Sequence, residues 1–160
     1  MAARCDTTAS VVTWAELEAA APDLSAAGRR LLYRGGHGQA LLATVRGDEL
    51  PRIHPISVGI GDGRVYAFIN RSAKGLDLEL DGRYALHSHP DAIAPSEFEL
   101  RGRAQLIAAE AIRSTVAADW SFTVDETYRL FEFGIDSALL GWRDSPDEWP
   151  PRYTSWSAGR

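Results

Sequence analysis

The run LLATVRGDELPRIHPISVGIGDGRVYAFINRSAKGLDLELDGRYALHSH, residues 41–89, carries most of the information about the fold of this chain. Its apolar residues recur at every second position, the period of a β-strand with one buried face. The alternation covers ALLATVR (40–46), PRIHPISVGI (51–60) and RVYAFIN (64–70). The Gly-Asp-Gly between the last two of these runs is typical of a tight hairpin turn. The pattern therefore predicts a meander of three antiparallel strands.

Helical and strand patterns flank this meander on both sides. The segment 13–35 is predicted to be helical, with a capping-box pair at Thr13 and Glu16 and a kink or a second helix start at Pro22. Further along the chain the sequence predicts a short helix, two strands, another helix and a last strand: RSAKGLDLELDG (71–82), YALHSH (84–89), FELRGRAQLI (98–107), AAEAIRSTVAADW (108–120) and LFEFGIDSALLGW (130–142).

This order of elements predicts the α+β class. Six mostly antiparallel strands with a helix inserted midway indicate a six-stranded split β-barrel, Greek-key-like, with N-terminal and inserted helices. The length fits a single domain over 1–160, with a helical segment at 13–35, a barrel at 40–142 and an aromatic, proline-rich tail at 143–160. The tail region would wall a cleft, seal a dimer or pack on its own barrel through Trp142, Trp149, Tyr153 and Trp156.

Composition and charge exclude several classes of protein. Hydrophobic residues make up 45% and charged residues 24% of the 160 residues, as in ordinary globular domains. No run approaches the ~18 apolar residues of a membrane span. The net charge of −5 argues against nucleic acid and anionic membrane surfaces as partners. The lone Cys5 forms no intrachain disulfide, and the first residues lack the apolar stretch of a signal peptide, so we expect a cytoplasmic protein.

Motifs for metal binding and hydrolysis are weak. His87 and His89 would share one side of a strand, with Asp91 nearby, but no third ligand has a recognisable spacing, so no metal site is predicted. No Gly-x-Ser-x-Gly elbow occurs, and the sequence identifies no catalytic residue.

The segment NRSAK at 70–74 carries the most chemistry. It joins a predicted strand to a predicted helix and gathers Asn70, Arg71, Ser72 and Lys74, the only lysine of the chain. A hydroxyl, two cations and the N–H groups of a helix start would hold a phosphate group. The alternative is a polar turn in which Ser72 caps the helix.

The order of these elements resembles the pyridoxamine 5′-phosphate oxidase-like superfamily. The parts that carry the resemblance are the successive strands, the S-x-K turn, the "GLDLEL" helix and the "RGRAQLI" strand. The resemblance covers about residues 40–107 and, more loosely, the chain up to Trp142. Proteins of this superfamily are split-barrel homodimers that bind FMN, or the deazaflavin F420, in a cleft at the dimer interface. The chain lacks the fuller basic phosphate pattern and the C-terminal substrate-binding stretch of true pyridoxamine phosphate oxidases, so the superfamily's name does not identify the substrate.

The resemblance implies roles for eight residues. The second strand would run along the flavin ring, partly through backbone groups, and the strand–helix turn would hold the phosphate with Arg71 as an additional cation. The ring residues are His54, Pro55, Ile56 and Ser57, and the phosphate residues are Asn70, Arg71, Ser72 and Lys74.

Three functions follow as expectations. The first is an FMN- or F420-dependent oxidoreductase that acts on a small molecule. The second is a non-catalytic flavin- or haem-binding sensory protein on the same barrel. The third is a cofactor-free barrel that binds protein or nucleic acid, and the negative net charge argues against the nucleic acid.

Overall fold

The structure, a computed structural model, describes residues 11–93 and 95–159. Cys5 lies outside these ranges. The helices are α1 (Trp14–Ala20), α2 (Pro22–Leu32), α3 (Ala73–Leu80) and α4 (Glu110–Ala118). The strands are β1 (Gln39–Thr44), β2 (Arg52–Ser57), β3 (Gly59–Gly61), β4 (Arg64–Asn70), β5 (Arg83–Ser88), β6 (Glu97–Ile107), β7 (Tyr128–Trp142) and β8 (Arg152–Ser157).

The strands form one antiparallel sheet that curls into a partial barrel. Hydrogen bonds follow the order β2-β1-β5-β6-β7-β4-β3, and β8 pairs with β7 beside this path. The two ends of the path, β2 and β3, are consecutive in the chain and only Val58 separates them, so the sheet bends round until its ends meet. Strands β4 to β7 lie in the order 5-6-7-4, which is a Greek-key arrangement. The predicted α+β class and antiparallel barrel are confirmed.

The predicted count of six strands is wrong, and one reason lies at Val58. The sequence predicts a single strand over 51–60, whereas β2 pairs with β1 and β3 pairs with β4. Between them the Val58 side chain is buried and its N–H donates to the Gly38 carbonyl at 3.0 Å. A side chain at position 38 would approach the Val58 carbonyl oxygen to 2.1 Å, so this close crossing requires the glycine. The alternating apolar pattern continues through the crossing and does not reveal it.

The tail over 143–160 supplies the other additional strand. Strand β7 has 15 residues, and β4 pairs with only its first third. The free edge of its last residues therefore accepts β8, in the register Ser137↔Ser157 to Trp142↔Arg152. Of the tail aromatics, Trp142 and Trp156 pack on the main core, whereas Trp149 and Tyr153 are 76% and 55% exposed.

Several predicted local features are confirmed. The Thr13 side chain and Glu16 form the capping box of α1, and Pro22 opens α2, so the segment 13–35 holds two helices. In the Gly-Asp-Gly turn Asp62 and Gly63 have φ angles of 48° and 69°, the left-handed pair that a two-residue hairpin turn requires.

The core lies inside the curled sheet, with a smaller cluster outside it. Trp14 and Phe98, both fully buried, meet edge to face with ring centroids 6.1 Å apart where α1 and α2 cover the sheet. On the outer face, Tyr66, Phe68 and Leu130 form a second cluster beneath α4. None of the helices in the described ranges has both the length and the apolar character that crossing a bilayer requires.

Candidate functional site

The junction between β4 and α3 brings four predicted site residues together. Ser72 caps α3: its Oγ accepts from the Gly75 N–H at 3.4 Å and donates to the Asn70 carbonyl at 3.1 Å. A side chain at position 75 would lie 3.2 Å from the Asn70 carbonyl oxygen, so the glycine lets the strand turn tightly into the helix. A cleft of about 380 Å³ opens here, lined in part by Asn70, Arg71 and Ser72.

Two cations at this junction have no partner among the residues that the structure describes. Within the described ranges neither Arg71 nor Lys74 forms an ion pair, a hydrogen bond or a ring contact. By contrast, Arg129, which lines the same cleft, pairs with Glu79. The first N–H groups of a helix add partial positive charge at the same place. The junction therefore gathers positive charge that no described side chain neutralises, on a chain whose net charge is −5.

The four predicted ring residues on β2 divide between its two faces. Arg52, His54 and Ile56 are half-buried on one face, and Ile56 packs on the main core. Ile53 and Pro55 are exposed on the other face. A second cleft, of about 320 Å³, is lined by Pro55, Ile56 and Ser57 together with Gln39 and His89.

Strand β2 also presents a free backbone edge. It lies at the end of the sheet path and pairs only with β1 among the described strands. The N–H and C=O groups along the outer edge of such a strand are open to a ligand or to another chain.

His54 connects the β2 face to the phosphate-type junction. Burial lowers the pKa of its imidazole, and the charge of Lys74 lowers that pKa further. Arg52 acts in the same direction and Asp77 against it. The Nε2 atom of His54 is buried and has no hydrogen-bond partner in the described chain. The structure thus groups His54 with Lys74, and separates it from the cleft that the other three β2 residues line.

The lowered pKa of His54 makes stability depend on pH. The folded state binds fewer protons at this site than the unfolded state, so we expect stability to fall as the pH drops from about 6.5 toward the lowered pKa. His54→Gln should lose less stability over that interval. Urea midpoints at about pH 8 and about pH 5.5 measure the difference. His37→Gln, at an exposed imidazole, is the control substitution. An unchanged pH dependence in His54→Gln would contradict the assignment.

Asp77 is a residue of this region that the sequence does not single out. It is fully buried and accepts from Thr44 Oγ1 at 2.8 Å and from Arg46 Nε and Nη2 at 3.0 and 2.7 Å, while Arg52 Nη1 lies 3.6 Å away. It therefore fastens α3 to β1 and β2. The only feature of the sequence that could have pointed to Asp77 is its place as an acidic residue between Leu76 and Leu78.

The burial pattern of α3 explains why Asp77 is missed. The spacing of Leu76 and Leu80 suggests an apolar face for this helix, yet these leucines are 44% and 65% exposed. The buried residues are Gly75, Asp77 and Leu78. The helix thus turns Asp77 and Leu78 toward the sheet and Leu76 and Leu80 outward.

Comparison with known proteins finds similarity in structure alone. No family profile matches the chain, and no curated protein matches it in sequence. Among solved structures, a haem-binding protein from Mycobacterium smegmatis superposes with a TM-score of 0.60 at 16% identity, over 82% of this chain and 57% of that one. The chain thus spans little more than half of that protein.

Two further solved structures are similar over most of their length. One comes from Clostridium acetobutylicum and is described as related to general stress protein 26 of B. subtilis, in the pyridoxinephosphate oxidase family. It superposes with a TM-score of 0.59 at 12% identity, over 81% of this chain and 95% of that one. A FAD-binding protein from Mesorhizobium loti superposes with a TM-score of 0.52 at 16% identity. The superposition covers 74% of this chain and 91% of that one. The chain therefore has the fold of the pyridoxamine 5′-phosphate oxidase-like superfamily, and the resemblance predicted from the residues is confirmed at the level of the fold.

Proposed function

We propose that this chain binds a phosphate-bearing flavin, FMN or the deazaflavin F420, and acts in the cytoplasm as an oxidoreductase on a small organic molecule. The observation that carries the proposal is the pair of cations at the start of α3, Arg71 and Lys74, which have no partner in the described chain. Cations left unpaired next to free helix N–H groups are the arrangement that binds phosphate groups in proteins.

The residues at the junction fit the phosphate end of such a cofactor. The Ser72 hydroxyl proton is already used on the Asn70 carbonyl, and the Gly75 N–H on Ser72 Oγ. The donors that remain for a phosphate are the Arg71 guanidinium, the Lys74 ammonium and the first free N–H groups of α3. Ser72 would then act by fixing the turn, and the Asn70 side-chain amide would add a neutral donor.

The β2 face fits the ring end. Pro55 and Ile56 provide an apolar wall in the second cleft, Ser57 a polar group, and the open edge of β2 supplies backbone donors and acceptors. The flavin, when bound, supplies hydride or electron transfer, while the protein holds and orients it. His54 lies on the same strand, and the charge of Lys74 acts on its imidazole.

A second copy of the chain would complete the site. Large apolar side chains stand exposed on and beside β2 and on α3: Leu50 (86%), Ile53 (69%), Leu76 (44%) and Leu80 (65%). Apolar groups concentrated beside open clefts mark an interaction surface. We propose a homodimer with the cofactor at this interface.

Haem binding is the second candidate function. It is supported by the fold shared with the M. smegmatis haem-binding protein and by His89, which lines the second cleft with an imidazole available as an axial ligand. In this alternative the protein would bind its cofactor without turnover.

Absorption spectroscopy separates these functions. The purified protein is titrated separately with FMN, F420 and haemin, and its mass is measured by light scattering. Saturable binding of FMN or F420 by a dimer is the expected result. A haem-type absorption band without flavin binding would establish the second candidate instead. A protein that binds none of the three would refute both and leave the barrel as an interaction module.

A further inference from the structure

We propose that the cavity between the β3–β4 turn and α4 is a second ligand site, which takes a small organic ammonium ion. The cavity has a volume of about 220 Å³, below that of sites for drug-sized ligands, so its ligand is small. It shares no residue with the two clefts of the proposed flavin site. The residues that argue for the ligand are Tyr33, Asp62, Tyr66, Asp119 and Trp120.

Three aromatic side chains from three elements line the cavity and are held in place. The Tyr33 hydroxyl, at the end of α2, accepts the Ile60 N–H at 2.8 Å. Tyr66 of β4 is 4% exposed. Trp120, just after α4, packs edge to face on Phe68 with centroids 5.0 Å apart. Convergent tyrosine and tryptophan rings are how proteins recognise quaternary ammonium groups.

The charges around the cavity favour a cation. Asp62 and Asp119 line it, and no lysine or arginine does so in the described chain. Over the same residues neither carboxylate has a hydrogen bond or an ion pair. Asp119 is also the C-cap of α4, where the helix end carries partial negative charge. A metal ion is a poorer ligand, because across residues 11–93 and 95–159 no three histidine, cysteine, aspartate or glutamate side chains come together.

Gly59 is required for the shape of the cavity. A side chain at this position would lie 2.5 Å from Trp120 Cζ3, so the glycine lets the indole rest against β3. The Trp120 Nε1 atom is buried and has no acceptor in the described chain.

The test uses the full chain and choline as the probe. The protein has five tryptophans, so an indole ¹⁵N–¹H spectrum resolves them individually, and Trp120→Phe assigns the Trp120 signal. We expect choline to shift this signal saturably. The neutral isostere 3,3-dimethyl-1-butanol should bind at least about tenfold more weakly, because it lacks the charge that the rings and carboxylates attract. Equal binding of both probes, or no saturable shift, overturns the proposal.

Substitutions locate the binding in this cavity. Asp119→Asn, at an exposed position, should weaken choline binding about tenfold, and Gly59→Ala should abolish the shift by displacing the indole. Asp147→Asn removes an exposed carboxylate outside the cavity and should change nothing. If Asp119→Asn binds choline as tightly as the wild type, the carboxylates do not recognise the ligand and the proposal fails.

Discussion

Replacing Arg71 and Lys74 together by alanine is expected to weaken FMN binding by about a hundredfold or more. Within the described ranges both side chains lack any other partner, so they contribute little to the free protein and are available to a phosphate. A hydrogen bond to a charged group contributes about 1.5–3 kcal/mol, so the loss of two such groups corresponds to at least this change. Fluorescence titration of free FMN measures it.

Riboflavin lacks the phosphate of FMN, so comparing the affinities for the two ligands isolates the contribution of the phosphate. Its affinity should be unchanged in the double variant, because the β2 face that would hold the ring is intact. Arg29→Ala provides the matched control, since Arg29 lies on α2 and pairs with Glu18. Wild-type FMN affinity in the double variant would show that the phosphate is bound elsewhere. An equal loss for riboflavin would show that the substitutions act through the fold.

Asp77→Ala is expected to lower the free energy of unfolding by about 3 kcal/mol, the low end for breaking a buried ion pair. The carboxylate is fully buried, and its loss leaves the Thr44 hydroxyl without its acceptor in the interior. Arg46 and Arg52 remain 29% and 34% exposed, so water compensates them in part. For a chain of this length the melting temperature should fall by about 6–12 °C.

Urea denaturation followed by circular dichroism measures this loss. Glu126→Ala, which removes an exposed carboxylate, should unfold at the wild-type midpoint. Asp77→Asn keeps the shape of the side chain and one acceptor oxygen, so it should lose less stability than Asp77→Ala. An Asp77→Ala protein as stable as the wild type would mean that α3 is held by its apolar contacts, with Leu78 as the buried leucine.

The Arg71/Lys74 double variant and Asp77→Ala together distinguish cofactor binding from fold stability at the start of α3. Arg71 and Lys74 stand at the start of α3 with no partner in the described chain, whereas Asp77 is buried and bonded to Thr44 and Arg46. FMN affinity should respond directly to the first pair. It should respond to Asp77 only through displacement of α3.

Local sequence patterns determine several of the secondary-structure elements and turns of this protein. The strand over 64–70, the Gly-Asp-Gly turn and the helix start at Ser72 follow from alternation, from left-handed turn residues and from capping. The residue types at 70–74 predict an anion site, which stays a prediction until binding is measured. These features depend on residues only a few positions apart in the chain, so the sequence alone can predict them.

The tertiary structure decided what depends on residues distant in the chain. The crossing at Val58 requires the close approach of Gly38, and β8 pairs with β7 because β4 leaves part of its edge free. Asp77 is buried because Thr44 and Arg46, some thirty positions earlier, meet it with hydrogen bonds. A buried charge is tolerated only where such partners converge, and their convergence is a property of the folded sheet, to which the local pattern around Asp77 gives no clue.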